Sequence, residues 1–251
     1  SFAEDVEFTI NRGLTAEGHW SDYVKGMVSE FQAINLRMSG FDATIAGDVP
    51  LAAGLSSSAA VEMAVGRGLL ELFDISMPGP KLATVGQRAE NRFGGVNCGI
   101  MDQFVSATGK EGHALFLDCR DLSFELVPIA DEGIRIVICN SGVKRGLTES
   151  SYNERRKACE DGVQQLALAT GQTFRALRDV SIEHLEDYKG AVTEEIFARC
   201  RHVITEIERT VAAVEALKSG DVDSFGVLMA ASHESLRDDY EVSGPELDRL
   251  V

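Results

Sequence analysis

Residues 47–73 read GDVPLAAGLSSSAAVEMAVGRGLLELF. From Ser57 onward the apolar residues recur at helical spacing, so a helix is expected over about 57–73. The run FDATIAGDV at 41–49, just before it, is rich in β-branched residues and reads as a strand. Between the two sits Gly54-Leu55-Ser56-Ser57-Ser58-Ala59-Ala60. Ser56 has the chemistry of an N-cap. A helix that starts there presents free backbone N–H groups and the positive end of its dipole, which together attract an anion. Gly54 permits close backbone approach and unusual dihedrals, and Ala59 and Ala60 keep the first turn uncluttered. The three hydroxyls can bind phosphate oxygens or a Mg²⁺ ion. On this loop alone, a plain helix cap followed by a small-residue packing face is the simpler account. No G-x-x-x-x-G-K-[ST] run occurs, which excludes a Walker-type phosphate loop.

A second stretch carries more chemistry. AENRFGGVNCGIMDQF spans Ala89 to Phe104. Its spacing places Glu90 in the last turn of one helix and Asp102 near the start of another. The helix dipole keeps an acid at a helix start ionised. Such a carboxylate can orient a bound hydroxyl, or accept its proton, for attack on phosphorus. Taken by itself, Asp102 reads first as an ordinary capping residue.

The remaining strand-like runs are 113–119, 123–129 and 134–141. Helix-like runs cover about 21–38, 80–93, 101–108, 151–169, 196–218 and 221–237. In the last of these, Val222, Phe225, Leu228, Met229 and Leu236 form an apolar stripe expected to lie in the core. Strands in the first part and helices after it indicate an α+β fold, with antiparallel strands, helices packed on one side and a mostly helical C-terminal half. The expected division is 1–141, which holds the strands, the Ser-rich loop and Asp102, and 142–251, a mostly helical domain.

The 251 residues are 44% hydrophobic, enough for a sizeable core. A formal charge of −16 argues against nucleic acid and anionic membrane as partners, although a local anion site is compatible with it. No apolar run reaches membrane-spanning length, and SFAEDVEFTI has no signal-peptide pattern. The five cysteines, Cys98, Cys119, Cys139, Cys159 and Cys200, are odd in number and widely spaced, as expected of reduced thiols in a cytoplasmic protein. The histidines 19, 113, 184, 202 and 233 share no metal-ligand spacing.

Four blocks in order carry a family resemblance. GDVPLAAGLSSSAAVEMA resembles the second signature of the GHMP small-molecule kinases, whose galactokinase branch reads P-x-G-x-G-L-S-S-S-A. FGGVNCGIMDQFVSATGKEGHALFLDCRDLSFELVP is similar to the galactokinase segment around C-G-I-M-D-Q, and VICNSGVKRGLTESSYNERRKACE to the block after it. SHESLRDDYEVSGPELDRLV is similar to that family's SHxSLRDDYEVSxPELD block. The likeness covers nearly the whole chain. It implies ATP-dependent phosphorylation of galactose at the 1-hydroxyl, with Mg²⁺ as cofactor, in a cytoplasmic monomer that takes ATP and a small-molecule sugar.

Residue by residue, the resemblance implies that Ala52, Ala53, Gly54, Leu55, Ser56, Ser57 and Ser58 form the phosphate loop. It places Ser58 and Glu90 on the Mg²⁺ ligands and Asp102 on the catalytic aspartate. Gly99, Asp102 and Tyr152 fall on sugar-contacting positions, and Trp20 and Tyr23 match aromatics that line the adenine pocket. Each has a plainer alternative. Trp20 can be core, Tyr152 can cap the helix of 151–169, and Glu90 can pair with Arg88 or Arg92.

Departures from the family pattern are also present. Ala52 replaces a loop glycine, Asn97 a proline, and Gly244 a cysteine. Gly142 and Arg145 stand in a block that usually reads N-T-N-V-K-H. The family's first signature, R-x-N-L-I-G-E-H-x-D-Y, would precede residue 1, and its Gly-rich third signature would follow Val251. The expectation is therefore a fragment of a longer gene product, inactive alone. The first signature holds most of the sugar contacts, so N-acetylgalactosamine or another GHMP substrate stays open. A non-catalytic, ligand-sensing co-inducer is a further alternative, although Ser58 and Ala59 are the pair such relatives lack.

Overall fold

The structure, a computed structural model, describes residues 4–11, 13–51, 53–129, 135–143 and 148–251, with backbone only for 148–151. The chain divides into two compact units, Ser1–Leu126 and Val127–Val251.

The first unit is built from four helices and a short sheet, whose second strand runs on past Leu126. They are α1 (Asp22–Ala33), α2 (Ser57–Leu72), α3 (Gly79–Ala89), α4 (Met101–Thr108), β1 (His113–Leu117) and β2 (Phe124–Pro128). Pro80 lies in the first turn of α3, where its missing N–H is harmless. The entry to α1 is fixed by Asp22, whose Oδ2 accepts the N–H groups of Glu17, Gly18 and His19 at 2.8, 2.7 and 3.1 Å. Met27, Val28 and Phe31 of α1, Met63, Leu69 and Leu70 of α2, and Leu82 and Val85 of α3 form the core. Gly66 allows α2 to come close: a Cβ there would lie 2.6 Å from Met27 Cε and 2.7 Å from Leu82 Cδ1. A smaller cluster of Ala83, Ile100 and Phe104 seats α4.

The second unit is helical: α5 (Thr148–Thr170), α6 (Ile182–Asp187), α7 (Glu194–Ser219), α8 (Val222–Asp238) and α9 (Pro245–Asp248). Its core joins Leu166 of α5 and Leu185 of α6 to Phe197, Cys200 and Ile204 of α7. Thr193 caps α7 by accepting the Ile196 N–H at 3.2 Å, and Gly220 ends it in the left-handed conformation. Asp221 caps α8 through the Ser224 N–H at 3.0 Å.

The α+β class holds, with a two-stranded antiparallel sheet of β1 and β2. Two expected strands are not formed. Residues 41–49 and 135–141 carry no regular secondary structure, and neither pairs into a ladder among the described residues; residue 134 lies outside them. Ile136 and Val137 are 78% and 76% exposed. β-branched composition favours an extended backbone but does not supply the neighbour that a strand bonds to. The apolar stripe of α8 also departs from expectation. Val222, Phe225, Leu228 and Leu236 are half-buried and Met229 is exposed. α8 packs chiefly on α7, and one helical neighbour covers only a narrow line of its surface.

Candidate functional site

At the start of α2, Gly54 has φ 74° and Ser56 φ 52°, so the loop turns twice through the left-handed region. The expected side-chain cap at Ser56 is not made. A capping side chain swings back over the first amides from an extended backbone, and the left-handed conformation at Ser56 removes that geometry. The Ser56 carbonyl accepts the Ala60 N–H at 3.0 Å. Among the described residues the amides of the first turn thus have no side-chain cap and can receive an external anion. Ala53, Leu55, Ser56, Ser57 and Ser58 are half-buried and Gly54 is exposed. Ala52 lies outside the described residues.

α3 passes at Ala89 into one π-helical turn, Glu90–Gly94, a form that often accompanies functional sites. This turn directs the half-buried Glu90 toward Gln103 of α4, whose Nε2 donates to Glu90 Oε2. The same Nε2 donates to Glu62 Oε2 of α2 at 3.0 Å. Cys98 Sγ stands 3.2 Å from Asn91 Oδ1 and 3.7 Å from Glu90 Oε2. Burial, with the neighbouring Glu90 carboxylate, pushes the Cys98 thiol up to about 12 and keeps it protonated. Arg88 and Arg92 do not pair with Glu90. Both bind Glu30 of α1, at 2.9 and 2.5 Å.

Glu62 and Gln103 had no role in the sequence reading, yet both are fully buried and both connect to Glu90. Burial, reinforced by the nearby Glu90 charge, raises the Glu62 carboxyl to about 9, so it is neutral at physiological pH. A lone acid in AAVEMAV is the signal that marks it. Ser58 and Glu62 are four residues apart and share one face of α2. Helix α2 is therefore tied through Glu62 and Gln103 to Glu90.

Asp102 occupies the second position of α4, next to Gln103. It is half-buried and has no hydrogen-bond or ion-pair partner among the described residues. Gly99 is exposed, and a Cβ there would meet nothing within 4 Å. Trp20 is half-buried rather than core. Its Nε1 donates to Glu4 Oε2 at 3.1 Å, and its ring centroid is 5.6 Å from that of His19. Tyr23, half-buried, lies one turn on. Tyr152 belongs to the second unit, near the start of α5, and is 46% exposed.

Among the described residues, no group of three or more His, Cys, Asp or Glu is arranged to hold a metal ion. One hydroxyl and one carboxylate, Ser58 and Glu90, fit a cation that retains waters and takes its other ligands from phosphate oxygens, as Mg²⁺ does. They do not fit a closed protein cage. No helix of the described residues is long and apolar enough to cross a membrane.

Residues 22–110 match the family described as the GHMP kinases N terminal domain. The chain is similar to galactokinases along its whole length. It is 47% identical to a galactokinase of Chloroflexus aurantiacus and 48% to one of Chloroflexus aggregans, each over 251 residues. The chain spans 64% of the length of these curated relatives. A crystal structure of Lactococcus lactis galactokinase complexed with galactose superposes with a TM-score of 0.86 at 36% identity, covering 95% of this chain and 61% of that one.

Proposed function

We propose that the protein transfers the γ-phosphoryl group of ATP to the anomeric 1-hydroxyl of galactose, as a cytoplasmic monomer. The observation that carries this reading is the Asp102 carboxylate: half-buried, without a protein partner among the described residues, and on the helix that also delivers Gln103 to Glu90. The likeness to a galactokinase that binds galactose supports the choice of sugar.

In this reading Asp102 accepts the hydroxyl proton as the sugar oxygen bonds to the γ-phosphorus. The bond from that phosphorus to the β,γ-bridging oxygen breaks, and ADP leaves. The amides and hydroxyls of residues 52–58 receive the phosphates. Ser58 and Glu90 hold Mg²⁺, which when bound neutralises charge on the phosphate oxygens. Trp20 and Tyr23 offer flat apolar faces to adenine, and Gly99 contacts the sugar. The test is ADP release by the full-length protein with MgATP and galactose, N-acetylgalactosamine or no sugar. Galactose-dependent release supports the reading. Release that depends on N-acetylgalactosamine alone moves the substrate, and sugar-independent binding without release favours a ligand sensor.

A further inference from the structure

Gln103 has no part in the phosphoryl transfer described above. It is 0% exposed, as is Glu62. One nitrogen, Nε2, serves two carboxyl groups, Glu62 of α2 and Glu90 in the π-helical turn. We infer that Gln103, backed by Glu62, is a positioning residue that aims the Glu90 carboxylate at the bound cation. This rests on the reading of Glu90 as a Mg²⁺ ligand.

Three observations carry the inference. The contacts made by Gln103 and Cys98 both fall on Glu90 Oε2. Oε1 has no hydrogen bond among the described residues, so one oxygen is pinned and the other is available to a cation. Second, the arrangement is expensive. Glu62 Oε1 and Gln103 Oε1 are buried without a partner among the described residues, and each such atom is destabilising. Apolar residues of the same volume would pack this junction at lower cost, so the polarity serves direction rather than cohesion. Third, the neighbouring helix leaves room for it. Gly86 of α3 has no side chain, and a Cβ there would lie 2.2 Å from Met63 Cε, 3.1 Å from Gln103 Cγ and 3.6 Å from Glu62 Oε2, so the glycine admits Met63 and this pair together.

The test measures ADP affinity of the full-length protein as a function of Mg²⁺ concentration. Residues that orient a metal's ligands typically change metal affinity about 10- to 100-fold when removed. Gln103→Ala is therefore expected to raise the half-saturating Mg²⁺ concentration by about tenfold, with ADP affinity in chelator unchanged. Should that variant fail to fold, the double variant Glu62→Met/Gln103→Met keeps the volume and removes both polar partners. It is expected to melt cooperatively and to show the same raised Mg²⁺ requirement. Glu90→Gln is the reference. If it weakens the Mg²⁺ response while the Gln103 variants keep the wild-type response, the positioning role is wrong and the reading of Glu90 stands. If Glu90→Gln leaves the response unchanged, that reading fails and takes this inference with it. Unfolding of both Gln103 variants would make the pair a structural element and overturn the positioning role as well.

Discussion

Arg88 donates its Nε–H to Glu30 at 2.9 Å, joining the packed helices α1 and α3. The pair is asymmetric. The Glu30 side chain is 4% exposed and that of Arg88 44%, and the second partner, Arg92, is 55% exposed. Removing the cations leaves a buried anion uncompensated. Removing the anion leaves two cations that water can solvate. The double variant Arg88→Ala/Arg92→Ala should therefore cost about 3 kcal/mol, and Glu30→Gln only about 1 kcal/mol. Urea unfolding of the two variants checks the order. Equal costs would mean that the Glu30 carboxylate is not dependent on its arginines.

Two glycines of α2, two residues apart, should respond oppositely to the same methyl group. Gly68 faces open space, with nothing within 4 Å of a Cβ. Gly68→Ala should stabilise by up to about 1 kcal/mol, the helix-propensity difference. At Gly66 the added Cβ meets Met27 Cε at 2.6 Å and Leu82 Cδ1 at 2.7 Å, and both side chains are themselves fully buried. Overpacking there costs about 1–3 kcal/mol, which outweighs the propensity gain. Thermal melts of the pair should shift to opposite sides of wild type.

The helices were legible because a 3.6-residue apolar period is local information. The expected 57–73 and 101–108 stand against Ser57–Leu72 and Met101–Thr108. The unformed strands at 41–49 and 135–141 show the complementary limit, since propensity describes a residue and pairing requires a second segment. Ser56 shows another limit. Serine at a helix start is a capping signal by composition, but the sign of its φ is decided by the whole loop. Gln103 stood in the same quoted block as Asp102, and Glu62 in that of Ser58. Their connection spans 41 residues of sequence and becomes visible only when α2 and α4 are packed.

Asp102 should act on the chemical step and not on nucleotide capture. Asparagine keeps the shape and the position on α4 but cannot accept the hydroxyl proton. In the full-length protein Asp102→Asn should lower kcat by about 10²–10⁴ and leave ADP affinity near wild type. Steady-state turnover together with ADP titration tests this. Near-normal kcat would remove Asp102 from the mechanism.

Glu62 predicts a pH dependence of stability with a definite sign. Its carboxyl titrates near 4.5 in an unfolded chain and is raised to about 9 in the fold, first by burial and then by the Glu90 charge. Below about pH 4.5 both states hold the proton and the group adds no pH dependence. Between the two values the folded state keeps a proton that the unfolded state has released. The folded state binds more protons there, so stability falls as pH rises through this window. The slope is at most about 1.4 kcal/mol per pH unit for one proton. Glu62→Gln has no proton to retain and keeps an oxygen that can accept from Gln103. Its unfolding free energy should match wild type near pH 4.5 and exceed it by a growing margin toward pH 9. Urea unfolding at about pH 5, 7 and 9 measures that margin. Parallel curves would mean that Glu62 is ionised in the folded protein, and Gln103 would then stand between two negative charges.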